Sequence, residues 1–340
     1  MADKSKINWT DSTWNPLVGC SIVSPACTNC YAMAMADRIQ RMTPKSYYVG
    51  TTKVVNSNPV WTGIVKQAPE RTLLQPLRWK KPRKIFVNSM SDLFHESVPD
   101  EWIDRIFAVM ALAPQHTFQC LTKRAARMRE YCSADGVTNR IGMEMHKIAP
   151  YDRSALNWPL SNAWLGVTAE DQERADERIP DLLATPAAVR FVSFEPLLGA
   201  IDVYQALGLR WNMFDKKWHP HSAAMIDLAI CGGESGPDAR PMHPDWARRL
   251  RDQCKSAGTA FWFKQWGEWA PHKPQAGGDL GGDMRAGRVR QIRAQGEPDG
   301  HFRKGDCYVA RIGKTRAGDL LDGVRHQEFP PSPSPMEAGR

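Results

Sequence analysis

The sequence predicts an α/β fold in which parallel strands alternate with helices, and three observations carry that expectation. Short apolar runs rich in β-branched and aromatic residues recur along the chain. Amphipathic stretches with helix-start signals separate several of them, and a polar or acidic group follows run after run. Strands alternating with helices read as βα units, which close into a barrel or open into a wound sheet.

In chain order, Leu17-Val18-Gly19 is a weak first strand and Lys84-Ile85-Phe86-Val87-Asn88 the second. Thr117-Phe118-Gln119-Cys120-Leu121, Trp164-Leu165-Gly166-Val167-Thr168, Val189-Arg190-Phe191-Val192-Ser193 and Leu228-Ala229-Ile230-Cys231 follow, with Ala260-Phe261-Trp262-Phe263-Lys264 a further candidate. A helix over 99–112 opens on Pro99, Asp100 and Glu101 and sets Ile103, Phe107 and Met110 on one face. A second, over 244–257, opens on Pro244 and Asp245 and aligns Trp246, Leu250 and Cys254. Residues 1–270 are expected to form the main domain, with insertions near 133–160 and 203–226. A loop or linker rich in Gly, Arg and Gln is expected over 271–300, a small closing element over 301–330, and a disordered Pro/Ser tail over 331–340.

The composition, 42% apolar and 24% charged over 340 residues, is that of a globular protein able to bury a large core. The polar opening has no apolar segment of the signal-peptide kind, and no run approaches the ~20 apolar residues of a membrane helix. A cytoplasmic protein is therefore expected. The net charge of +8 favours an anionic partner. Eight cysteines are too sparse for a disulfide scaffold.

The residues just past each strand carry the chemistry. Ser89-Met90-Ser91-Asp92 comes after the second, Thr122-Lys123-Arg124 after the third and Ala169-Glu170-Asp171 after the fourth; Glu195-Pro196 comes after the fifth and Gly232-Gly233-Glu234-Ser235-Gly236 after the sixth. The C-terminal ends of parallel strands are where α/β barrels build active sites. Asp92, Glu195 and Glu234 are candidates for the ammonium or ribose hydroxyls of a cofactor; the plainer alternative is a helix cap or an arginine pair. Lys123 could meet a carboxylate or phosphate, or serve as a surface lysine. Gly232 and Gly233 allow close backbone approach to a ligand. A lone histidine such as His95 is more often structural than catalytic.

Cys20-x6-Cys27-x2-Cys30 is the sharpest chemical signal. Three thiolates with one position left over are what a [4Fe–4S] cluster needs if its fourth iron is to bind the amino and carboxylate groups of S-adenosylmethionine. Zinc is the rival but takes four protein ligands; the first histidine is His95 and the next cysteine Cys120. Scattered structural cysteines are the third possibility. Cys120 and Cys231 read as small buried hydrophobes, Cys254 lies on an apolar helix face, and Cys307 falls in the C-terminal element.

Three basic runs bear on the partner. Arg78, Lys80, Lys81, Arg83 and Lys84 surround Trp79; Arg124, Arg127 and Arg129 follow the third strand; Arg248, Arg249 and Arg251 lie in the second helix. Cations with interleaved aromatics suit a nucleic-acid backbone and an unstacked base, although solvated helix faces look the same. Arg124, Arg127 and Arg129 are the candidates for substrate phosphates, because they follow a strand on the catalytic side.

The runs Trp9-Thr10-Asp11-x2-Trp14-Asn15-Pro16-x2-Gly19-Cys20 and Cys27-x2-Cys30-Tyr31-Ala32 resemble a phage-associated three-cysteine-motif family of uncharacterised proteins. So do Phe86 to His95, Gly232-Gly233-Glu234-Ser235-Gly236, Phe263-Lys264-Gln265-Trp266-Gly267 and Ala317-Gly318-x2-Leu321-Asp322-Gly323. That family is similar to the spore-photoproduct-lyase-like branch of radical-SAM enzymes, on Cys30-Tyr31-Ala32, Ser91-Asp92 and Thr122-Lys123. The resemblance implies a partial TIM-like (β/α)6 barrel, a [4Fe–4S] cluster on Cys20, Cys27 and Cys30, and S-adenosylmethionine cleaved to a 5′-deoxyadenosyl radical. It also implies Ser91, Asp92 and Lys123 beside the cofactor and a reductant protein; the basic runs, not the resemblance, suggest a nucleic acid or nucleotide as substrate. Three departures stand out. Six residues, not three, separate the first two cysteines; Gly-Gly-Glu follows the sixth strand, not the second; and Ser89 stands where the lyase has a hydrogen-donating cysteine. The competing readings are a non-catalytic, metal-stabilised nucleic-acid-binding protein and an enzyme acting on a protein or peptide.

Overall fold

Continuous apolar runs become fully buried strands here, as in parallel sheets covered on both faces. Ile85 and Val87 are almost wholly shielded, and all six residues of Ala163–Thr168 are buried. The computed structural model describes residues 5, 7–152, 155–220, 226–273, 279–294 and 303–331. Seven strands form one parallel sheet in chain order, a TIM-like partial barrel: β1 (Ser12–Trp14), β2 (Lys84–Val87), β3 (Thr117–Thr122), β4 (Ala163–Thr168), β5 (Val189–Phe194), β6 (Leu228–Gly232) and β7 (Ala260–Gln265).

Helices occupy the connections: α1 (Tyr31–Met42), α2 (Asp100–Ala111), α3 (Ala125–Cys132), α4 (Val137–Ile148), α5 (Gln172–Ala184) and α6 (Pro244–Ala257). Helix α2 starts behind Pro99 with Asp100 and Glu101 in its first turn, where carboxylates favour the helix dipole. Helix α6 is capped by His243 and stops at Gly258, whose φ of 70° suits a residue without a Cβ.

The first strand differs from expectation. Ser12, Thr13 and Trp14 register with Ile85, Phe86 and Val87, whereas Leu17–Val18 pairs antiparallel with Lys66–Gln67. The buried indole of Trp14 anchors this strand through an Nε1–H bond to the Thr72 carbonyl at 2.9 Å. Ala260–Gln265 adds a seventh strand to the six that the resemblance implies.

The stretch read as a loop over 271–300 holds ordered elements. Trp269–His272, Cys307–Arg311 and Val289–Ile292 form a three-stranded antiparallel sheet, and Leu280–Arg285 is helical. Its strands are too short to stand out beside so many glycines. The insertion near 133–160 contains α4, and that near 203–226 contains a hairpin of Leu209–Asn212 with Lys217–Pro220. Residues 332–340 of the expected tail lie outside the described residues. Among the described residues, no helix is long and apolar enough to cross a membrane.

The chain divides into two compact units, one of residues 1–167 and 180–191, the other of residues 168–179 and 192–330.

Candidate functional site

In the first unit, the cysteine loop is shaped by its neighbours. Gly19 adopts φ +93°, and a Cβ there would come within 2.0 Å of the Ile64 carbonyl oxygen, so only glycine brings the chain past this point. Gly19 bridges Ser91, whose hydroxyl donates to the Gly19 carbonyl at 2.7 Å. Cys20 follows directly. Cys27 is the last residue of a short 3-10 turn, Pro25–Cys27, and Cys30 is the N-cap of α1. Ala32, Met33 and Ala36 of α1 pack with Val18, Tyr48, Trp61 and Met90, and Cys20 and Cys30 lie against this cluster.

Arg124 is the hub of the loop. Its Nη1 donates to Asp92 Oδ2 at 3.0 Å and to the Cys20 sulfur at 3.8 Å. Its Nη2 donates to Ser21 Oγ at 2.6 Å, and its Nε to both oxygens of Glu96 at 3.0 and 3.1 Å. Asp92 in turn accepts from the Phe94 and Lys123 amides, both at 3.0 Å, and from Thr122 Oγ1 at 2.6 Å. Burial pushes the Cys20 thiol up to about 12, with Asp92 and Cys27 adding to the rise and Arg124 opposing it. Burial raises Cys30 as well; the Lys123 charge opposes that and Cys27 adds to it, so the other two thiols both lie within electrostatic reach of Cys27. His95 Nδ1 accepts from the Ser97 amide at 3.1 Å, which leaves Nε2, 2.9 Å from Ser21 Oγ, as the protonated nitrogen. Burial, and then Arg124, hold the His95 pKa below its ordinary value.

Among the described residues, no three His, Cys, Asp or Glu side chains are gathered to hold a single metal ion. The ligating sulfurs of a [4Fe–4S] cluster sit on different irons and need not converge on one point, so the set of three thiols on one shaped loop fits that group on donor chemistry.

The second unit is assembled by glycines. A Cβ on Gly233 would lie 1.9 Å from the Trp266 carbonyl oxygen, and one on Gly267 would lie 2.0 Å from the Glu234 carbonyl oxygen. Gly232-Gly233-Glu234 and Gln265-Trp266-Gly267 therefore pack backbone against backbone, just past a register shift between Cys231 and Gly232 on β6. The Glu234 carboxylate is grasped by Arg240 through Nε at 2.9 Å, Nη2 at 2.5 Å and the backbone amide at 2.7 Å. Glu195 Oε1 is 3.0 Å from Lys264 Nζ and fills the space that a Gly232 side chain would need, while Oε2 lies 3.5 Å from Ser193 Oγ. Glu170, wholly buried, pairs with buried Arg178 at 3.1 Å.

The expected arginines are all engaged. Arg124 holds the cysteine loop, Arg127 pairs with Asp100, and Arg129 pairs with Asp181 at 2.9 Å. In the other runs, Arg83 stacks over Trp79 at 4.6 Å, while Arg248 and Arg251 share Asp322. Cys120, Cys231 and Cys254 are buried, as is Cys132; Cys307 is half-buried. Ser21, Glu96, Arg240 and Lys264 complete the two constellations. Nothing in their sequence spacing marks Ser21, Glu96 or Lys264, whereas Arg240, six residues after Glu234, is within local reach.

No curated protein and no solved structure matches the chain. The family description "protein of unknown function", DUF5131, matches residues 4–330, and over nearly its whole length the chain thus belongs to the DUF5131 family.

Proposed function

We propose that the protein is an iron–sulfur enzyme of the radical-SAM type, as its likeness to the three-cysteine-motif and spore-photoproduct-lyase-like proteins implies, acting in a reducing cytoplasm on a nucleic acid or nucleotide, as its net charge of +8 and its basic runs favour. Cys20, Cys27 and Cys30 would hold a [4Fe–4S] cluster. When bound, that group supplies the reductive cleavage of S-adenosylmethionine to a 5′-deoxyadenosyl radical, with the electron coming from a reductant protein. The supporting observation is a loop of three free thiols that is tied to the ends of β2 and β3 through Ser91 and Arg124.

The chain's own residues have distinct tasks in this reading. Ser91 and Gly19 fix the entry to the loop. Asp92 spends its acceptor capacity on Phe94, Thr122, Lys123 and Arg124, so it positions Arg124 and is not the acid that meets the cofactor's ammonium. Lys123 supplies positive charge beside Cys30.

Anaerobically purified protein is expected to carry about four irons per chain and, with dithionite, to convert S-adenosylmethionine to 5′-deoxyadenosine. Cys30→Ala should lose the iron and Cys254→Ala should keep it. A colourless protein with stoichiometric zinc after reconstitution with iron and sulfide would overturn the reading.

A further inference from the structure

The insertion hairpin Leu209–Asn212 with Lys217–Pro220 has a composition that its own stability does not require. Phe214 at its turn is 100% exposed, Met213 80% and Trp211 44%. Large apolar groups displayed at a hairpin tip cost solubility and contribute nothing to a core. The turn is nevertheless built to display them: the Phe214 amide donates to Asn212 Oδ1 at 2.9 Å and the Lys217 amide to Asp215 Oδ1 at 3.2 Å.

The base of the hairpin is an aromatic stack. Trp211 and Trp218 are direct cross-strand partners with rings 5.6 Å apart, and Tyr204 lies parallel on Trp218 at 4.3 Å and 5°. Arg210, Lys216 and Lys217 are exposed along the same twelve-residue segment. Its one acid, Asp215, is taken up by His219 at 2.6 Å. Flat rings with cations between them suit bases and phosphates; the adjacent exposed lysines, Lys216 and Lys217, belong to a residue type that protein interfaces deplete.

We infer that this hairpin is a nucleic-acid contact, in which Phe214 and Trp211 stack on unpaired bases and Arg210, Lys216 and Lys217 meet the phosphates of a single strand. The hairpin is then the surface for the substrate class proposed above, an assignment that rests on that part of the reading and not on the cluster. Arg124, Arg127 and Arg129 are paired with acids and leave this contact to the hairpin.

The test is a titration of the full chain with labelled single-stranded DNA, single-stranded RNA and duplex DNA at several salt concentrations, followed by anisotropy and by tryptophan quenching. Wild type should prefer single strands. Phe214→Ala should weaken binding about 5- to 150-fold, the range for loss of one base–aromatic stack, with an unchanged melting temperature because the ring is fully exposed. Lys216→Gln with Lys217→Gln should make the log–log salt slope shallower by about 1.4, at ~0.7 per lost contact to a single strand. Unchanged affinity and slope in both variants would overturn the inference. So would a wild type that binds no oligonucleotide at low salt, which would hand the hairpin to a protein partner. Repeating the titration on Cys20→Ala protein separates the two claims. Binding that survives there supports the hairpin whether or not the cluster reading holds, and cluster assays on Phe214→Ala report on the cluster alone.

Discussion

The two constellations at the strand ends are held in opposite ways. Around the cysteine loop, side chains do the holding: Arg124 reaches back across more than a hundred residues of sequence to Ser21 and Cys20 while it pairs with Asp92 and Glu96. Around Gly-Gly-Glu, backbones do it, with Gly233 and Gly267 pressed against carbonyls and the acid–arginine pair Glu234–Arg240 only six residues apart. A loop held by charged side chains can keep its backbone and lose its electrostatics. A loop held by backbone contact has no such intermediate. Substitutions should therefore separate the two regions by the kind of damage as well as by its size.

The largest effect is expected where there is no room. Gly233→Ala brings a methyl within 1.9 Å of the Trp266 carbonyl oxygen, and neither strand end can yield without breaking the Gly233 N–H bond to Gln265 O at 2.9 Å. A loss of about 4 kcal/mol or more is expected, seen as insoluble protein or a collapsed melting temperature. Gly258→Ala, at the end of α6 with open space around it, should cost only about 1 kcal/mol from its left-handed backbone. Equal melting temperatures for the two variants would remove the claim that backbone contact holds this region.

Next comes the charge at the cysteine loop. Arg124→Gln leaves the buried carboxylate of Asp92 without its cation, although three neutral donors remain. About 3 kcal/mol should be lost, whereas Arg240→Gln should cost less, because Arg240 is one-third exposed and its backbone amide still serves Glu234. Chemical denaturation of both variants tests the ranking. If Arg240→Gln proved the more damaging, the contrast between the two regions would be reversed.

The fold was legible where a residue's environment follows from its neighbours in sequence. Lys84 to Asn88 and Val189 to Ser193 are continuous β-branched and aromatic runs, and Pro99-Asp100 and Pro244-Asp245 announce helices; all four became the elements they predict. Ser12-Thr13-Trp14 was missed because a three-residue strand with two hydroxyls has no apolar run, and its pairing with Ile85 to Val87 depends on contacts seventy residues away. The positions of the polar strand ends were legible for the same local reason. Their partners were not, since no spacing rule links Glu195 to Lys264 or Asp92 to Arg124. The hairpin at 209–220 was visible only as an interruption, because exposure of Phe214 is a property of the folded turn.

The smallest expected effect compares the buried histidines of the two regions. His243, 1% exposed, caps α6: its Nδ1 accepts from the Asp245 amide at 3.1 Å, and its Nε2 donates to the Gly305 carbonyl at 3.0 Å. Protonating Nδ1 would remove the cap and put a positive charge at the positive end of the helix. Burial is the main cause of its lowered pKa and Arg248 adds to it, while Asp245, Asp306 and the Gly305 bond oppose it. A histidine whose folded pKa lies below its unfolded value near 6.5 contributes stability that is fully present above 6.5 and is lost as pH falls through the folded pKa. Melting temperatures should therefore decline from pH 7 towards pH 5.5, before most carboxylates titrate, with at most about 1.4 kcal/mol per pH unit for one proton. His243→Asn supplies a neutral cap and should flatten that decline. His95→Asn should flatten it separately, since burial and Arg124 lower that ring too. A decline as steep in His243→Asn as in wild type would mean that the neutral cap does not stabilise α6, and that the pH sensitivity belongs to the other buried histidines, His95 and His116.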